Sequence, residues 1–172
     1  MPEAISLTVA MLATAAATRG VPRSYSSMSA EGQFTCEQVT EVWNTLDDGF
    51  SSFGPSDQLL EELVSVVNEH SESGWDGYKA PPVSVQTFLK AREFIEAIPE
   101  TFPMPELAVD PDDASISFEW HGGNRRVFSA SIGSNSRLVC AGLNLDDKWH
   151  GTLRFDGEHL PSLVTESIRQ LF

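Results

Sequence analysis

Apolar residues recur every three to four positions in the first half of the chain and every two in the second. From Thr35 they fall at Val39, Val42, Trp43, Leu46, Phe50 and Phe53, the spacing that lines one side of a helix. Thr35 and Gln38 make a T-x-x-Q capping box at its start, and Gly54-Pro55 closes it. Ser56 or Asp57 caps a second helix, with Leu60, Leu63, Val64 and Val67 on its buried side. Glu61, Glu62 and Glu69 are left facing water on that helix. Ser84 caps a third, with Val85, Phe88, Leu89, Ile95 and Ile98 as its core side and Pro99 just past its end.

After Pro103 the period drops to two. Ile116, Phe118 and Trp120 alternate with Ser117, Glu119 and His121, and Phe128, Ala130 and Ile132 with Val127, Ser129 and Ser131. The stretch His121-Gly122-Gly123-Asn124 between them suits a hairpin turn, because glycine and asparagine tolerate positive φ. Val139, Ala141, Leu143 and Leu145 form the next apolar series, and Trp149, Leu153 and Phe155 follow Asp146-Asp147-Lys148. These segments read as a four-stranded antiparallel meander with one apolar face, extended to five strands if residues 107–109 join at an edge. Leu160, Leu163, Val164, Ile168 and Leu171 trace one side of a closing helix. The expected fold is α+β, with N-terminal helices packed on the meander and a C-terminal helix after it.

Residues 31–172 read as a single domain and residues 1–30 as a flexible or helical extension. The run AISLTVAMLATAAAT has the apolar character of a secretory signal, but Met1-Pro2-Glu3 before it carries no positive charge. It is also too short and too rich in Thr, Ser and Ala to span a bilayer. Between Arg19 and Gln33 there is no periodicity, as in a linker.

Charge changes the picture more than composition does. The net charge is −14, which disfavours direct binding to nucleic acid or to an anionic membrane. Residues 24–78 hold no Lys or Arg and eleven acids: Glu31, Glu37, Glu41, Asp47, Asp48, Asp57, Glu61, Glu62, Glu69, Glu72 and Asp76. Most of the negative charge is thus concentrated in the first two helices and the loop after them.

That loop, SGWDGYKAPPVS, has local reasons for each residue. Gly74 lets the chain leave the second helix, Asp76-Gly77 is a turn pair, and Pro81-Pro82 imposes an extended approach to the Ser84 cap. Trp75 and Tyr78 are amphipathic anchors. The alternative use is a ligand platform made by Trp75, Asp76 and Tyr78 beside Lys79. The residues Gly74-Trp75-Asp76-Gly77-Tyr78, Ala80, Pro82 and Ser84, followed by Phe118-Glu119-Trp120, resemble a group of small bacterial proteins that share a GWDGYGA-P-[IV]-S segment. Lys79 stands where that segment has glycine. The resemblance spans roughly residues 70–172; it implies bacterial or phage origin and carries no catalytic assignment.

Chemistry-bearing motifs are sparse. Cys36 and Cys140 have neither the spacing of a disulfide framework nor that of a zinc site, and a reducing cytoplasm is the expected location. His70, His121, His150 and His159 form no metal-binding pair. Asp110, Asp112 and Asp113 resemble a calcium loop, but Ser115 replaces the glycine at its sixth position and no glutamate stands at the twelfth. If Val139, Ala141 and Leu143 face the core, Cys140 and His150 share the opposite, polar face, where a Cys–His nucleophile could form. Arg125, Arg126, Arg137 and Arg154 are too few, and lack outward aromatics, for a nucleic-acid platform.

The resulting expectation is a small acidic binding protein, without enzymatic activity or cofactor, that engages a basic protein partner in the manner of an antitoxin, immunity protein or phage inhibitor. Its contact residues would be Glu61, Glu62, Glu69, Trp75, Asp76 and Tyr78. The alternative is a small enzyme built on Cys140 and His150, or on a pocket at the loop from Trp75 to Lys79.

Overall fold

The computed structural model describes residues 54–172 together with Glu37, Gln38, Val39 and Glu41. Those four positions are helical, and Val39 is buried in the core. Val42, Trp43, Leu46, Phe50 and Phe53, the capping residue Thr35 and the reading of residues 1–30 lie outside the described residues.

Three further helices follow in sequence: α1 (Pro55–Glu69), α2 (Val85–Ala97) and α3 (Ser162–Arg169). The start of α1 differs from expectation. Gly54 is its N-cap and Pro55 its first residue, while the Asp57 carboxylate accepts the Gly54 N–H at 2.9 Å. Proline suits the first helical position because its missing N–H would have no partner there, and Asp57 adds negative charge at the positive end of the helix dipole. Leu59, Leu60, Leu63, Val64 and Val67 are buried, and Glu61, Glu62 and Glu69 are exposed.

Helix α2 begins as its sequence requires, with the Ser84 hydroxyl accepting the Thr87 N–H at 3.1 Å. It stops at Ile98, whose extended ψ of 122° is the conformation imposed by Pro99. Its buried side is Thr87, Phe88, Ala91, Phe94 and Ile95. Val85 and Leu89 are only half-buried, so the stripe is rotated from the expected one. Phe94 fixes that rotation: its ring centroid lies 4.5 Å from Phe118 and 5.6 Å from Phe155.

The sheet has five antiparallel strands in the order β1 (Glu106–Val109), β2 (Ile116–His121), β3 (Arg126–Ile132), β4 (Arg137–Asn144) and β5 (Asp147–Arg154). On its inner face, Val109, Ile116, Ile132, Leu138 and Leu153 form one cross-strand row, and Leu107, Phe118, Ala130, Cys140 and Gly151 the next. A third row runs Trp120, Phe128, Gly142, Trp149. Trp120 stacks on Phe128 at 5.7 Å and Phe128 on Trp149 at 5.9 Å. Trp149 reaches Phe128 across β4 because Gly142 leaves the space; a methyl at position 142 would overlap the indole. Each large side chain on this face contributes about 1.5–3 kcal/mol by burial.

Strand β4 corrects the expected parity. Leu138 and Cys140 point inward, while Val139 and Ala141 point outward and are exposed. Leu145 is not a strand residue; with Asp146 it makes the two-residue turn into β5, at φ 58°, and is 56% exposed. Both parities of residues 138–145 carry apolar groups, so alternation alone does not choose between them. The choice is made by pairing with β3, where Cys140 lies beside Ala130 and Leu138 beside Ile132. A one-residue difference in register exchanges the two faces entirely.

Helix α3 closes the domain with Val164, Ile168 and Leu171 in the core. Arg126 ties it to the β2–β3 hairpin, donating to the Gln170 carbonyl at 3.2 Å and the Gly122 carbonyl at 2.9 Å. A cation suits the end of a helix, where carbonyl groups are left without intrahelical partners. Among the described residues, no helix is long and apolar enough to cross a membrane.

Candidate functional site

The exposed side of α1 is the first surface of interest. At 100° per residue, Glu61, Glu62 and Glu69 fall within an arc of about 100°, opposite the centre of the buried stripe. Gln58 and Ser65 occupy the same arc and are exposed. Among the described residues, no Lys, Arg or His forms an ion pair with these three carboxylates. Among the described residues, the one hydrogen bond to these side chains comes from the Ser65 hydroxyl to Glu69, at 3.3 Å. Glu69 lies in the last turn of α1, which has no basic residue. The helix dipole disfavours a carboxylate there, and the Ser65 hydroxyl offsets part of that cost.

Residues 70–84 connect this surface to α2. His70 caps the helix with its own N–H on the Val66 carbonyl and places Nδ1 at 2.6 Å from the same oxygen. The Trp75 ring meets the His70 ring edge-on at 4.3 Å, and its Nε1–H donates to the Pro81 carbonyl at 2.9 Å. The Asp76 carboxylate accepts the N–H groups of Tyr78 at 2.8 Å and Ala80 at 3.1 Å. Those bonds hold its pKa below the ordinary carboxylate value. Gly74 and Gly77 take φ of +76° and +83°, conformations that other residues rarely adopt. The base of the loop is closed by Gly74 N–H to the Ala80 carbonyl and Val83 N–H to the His70 carbonyl.

The expected platform therefore divides. Trp75 and Asp76 direct their polar groups onto the loop's own backbone and serve to brace it. Tyr78 stands at the tip, 87% exposed, next to the exposed Lys79. Lys79 has no positive φ among the described residues, so its backbone conformation does not call for glycine.

The Cys140–His150 pair is contradicted by the register. Cys140 is fully buried on the inner face, while His150 is exposed on the outer face and pairs with Ala141. Burial pushes the Cys140 thiol up to about 11, the opposite of nucleophile activation. The expected association arose from assigning Val139, Ala141 and Leu143 to the core, and it disappears with that assignment.

The remaining candidates have local roles. Asp110 accepts the Asp112 N–H at 2.8 Å and Asp113 the Ser115 N–H at 2.9 Å, so the calcium-like stretch forms backbone turns. Among the described residues, no three His, Cys, Asp or Glu side chains gather as a metal ion would require. Of the four arginines considered, Arg125 pairs with Asp146 at 3.2 Å and Arg126 binds backbone carbonyls. Arg137 and Arg154 lie side by side on the outer sheet face.

That outer face is what sequence reasoning missed. It is formed by Ala108, Ser117, Glu119, Val127, Ser129, Ser131, Val139, Ala141, Leu143, His150 and Thr152 among others. The available signal was the apolar character of both parities in residues 138–145. No family model, curated protein or solved structure matches this chain.

Proposed function

We propose that this chain is a small acidic binding protein, without catalytic activity of its own, that captures a basic protein partner on the exposed side of α1. The observation that carries the reading is the set of Glu61, Glu62 and Glu69 on one exposed arc, with no ion pair among the described residues. Tyr78 supports it. A braced loop holds this ring in water immediately after the acidic helix, and exposed aromatics of this kind provide contact area at little entropic cost. Such a surface would attract a cationic protein over several ångströms and then anchor it through the ring. An antitoxin, immunity protein or phage-encoded inhibitor has this requirement, and a bacterial or phage origin is part of the proposal.

Affinity capture from a bacterial lysate, eluted in salt steps, tests the reading. The intact chain should retain one basic protein that elutes early in the salt series. The triple variant Glu61→Lys, Glu62→Lys, Glu69→Lys should lose it, and Tyr78→Ala should weaken it without altering the salt response. Equal capture by the triple variant would refute the proposal.

A further inference from the structure

Among the described residues, the helices occupy only one side of the sheet, and none of these residues covers the other side. Its centre is formed by Val127, Ser129, Ser131, Val139, Ala141 and Leu143, all small or apolar, with Val139 55% exposed. Its two edges have opposite charge. On the β1 side, Glu106 and Glu119 project outward, each 3.7 Å from the exposed His121 ring, and Asp110, one step past β1 in the same parity, continues the ladder through its N–H to the Ser115 carbonyl. On the β5 side stand Lys148, His150 and Arg154, with Arg137 directly beside Arg154. Among the described residues, neither Arg137, Arg154 nor Lys148 has an ion-pair partner. Two arginines opposite one another on neighbouring strands repel, and nothing described within the chain offsets this.

We propose that this open face is where two copies of the chain pair, β1 of each lying over β5 of the other about a two-fold axis that runs along β3. The registers determine which groups meet. Glu106 shares its cross-strand row with His150, and Asp110 lies at the level of Arg154 and Arg137. Rotation about an axis along β3 exchanges the edges and preserves the level along the strands. Glu106 of one copy then comes over His150 and Lys148 of the other, and Asp110 over Arg154 and Arg137. An axis perpendicular to the strands would place acid on acid and base on base. The small residues at the centre let two sheets approach face to face, with the roughly 30° offset that strand twist produces.

The dimensions suit a weak, specific contact. Five strands about 4.8 Å apart, four to eight residues long at about 3.3 Å each, offer roughly 1,000 Å² from two copies, at the lower bound for a specific interface. The acidic side of α1 faces away from this interface, since the helices pack on the inner face. The dimer therefore leaves that surface free and does not depend on the proposed function.

Sedimentation equilibrium of the full chain is the test. A dimer is expected, with a dissociation constant on the order of micromolar. Lys148→Glu with Arg154→Glu should raise that constant at least ~10-fold, and so should Glu106→Lys with Asp110→Lys. Mixing the two variants should restore a dimer, because each then carries one uniform charge that complements the other's. Val139→Lys, at the centre, should give a monomer whose far-UV circular dichroism matches the parent. A parent chain that stays monomeric at ~100 μM, a dimer indifferent to both reversals and to Val139→Lys, or a mixture that fails to recover would each overturn the proposal.

Discussion

The two faces of the sheet share the same strands and turns yet solve opposite problems. The inner face stacks Trp120, Phe128 and Trp149 in one row and buries Phe118, Ile116, Ile132 and Leu138 under three helices. The outer face has serines, alanine and valine at its centre, and Ser117 and Ser131 hydrogen-bond to each other across strands at 2.6 Å. Hydrophobic burial stabilises through volume and contact, so the inner face is intolerant of change. The outer face owes its shape to the backbone ladder, which leaves its side chains free for another purpose. Stability and interaction are thus separated by parity along each strand.

The largest expected effect on this contrast comes from truncating a central inner residue. Phe118→Ala should cost about 3–5 kcal/mol in urea unfolding, whereas Ser129→Ala, on the neighbouring strand but on the outer face, should stay within about 0.5 kcal/mol. A comparable loss at Ser129 would show that the outer face is part of the core.

A smaller effect separates two glycines on neighbouring strands of the inner face. Gly142→Ala should cost about 1–3 kcal/mol, because the methyl displaces the Trp149 indole from its place beside Phe128. The near-ultraviolet circular dichroism of the stacked row should change with it. Gly151→Ala meets nothing within 4 Å and should be neutral to slightly stabilising. Equal behaviour of the two would place Trp149 elsewhere.

The smallest effect is one of pH. Cys140 titrates near 11 when folded and near its ordinary value of 9.0 when unfolded. The unfolded chain therefore loses this proton first as pH rises. The contribution of the buried thiol is complete below about pH 9 and is lost progressively toward pH 11. In a Cys36→Ser background, stability should fall across that window, and a thiol reagent at pH 8 should react only after denaturation. Rapid labelling of the folded protein would put Cys140 on the outer face.

The legibility of the chain followed how strongly each segment commits its residues. Ile116, Phe118 and Trp120 against Ser117, Glu119 and His121 allow one reading, and β2 has that reading. The Ser84 cap, the stop before Pro99 and the acidic exposed side of α1 were equally plain, because each rests on interactions within a turn or two. Residues 138–145 are apolar in both parities, and there the reading failed. With it went the association of Cys140 with His150. The loop at residues 70–84 was legible as a turn, but not in which of its side chains remain available. Trp75 and Asp76 are engaged by atoms up to six residues away, and only Tyr78 is left in water.

The order of elements, the α+β class and the concentration of negative charge in residues 24–78 belong to the sequence alone, because they depend on local periodicity and on which residues carry charge. The side of the sheet on which Cys140, Val139, Arg137 and Arg154 lie was decided only by the tertiary structure. Strand pairing couples residues far apart in the chain, and where alternation is ambiguous, the neighbouring strand determines which face is buried.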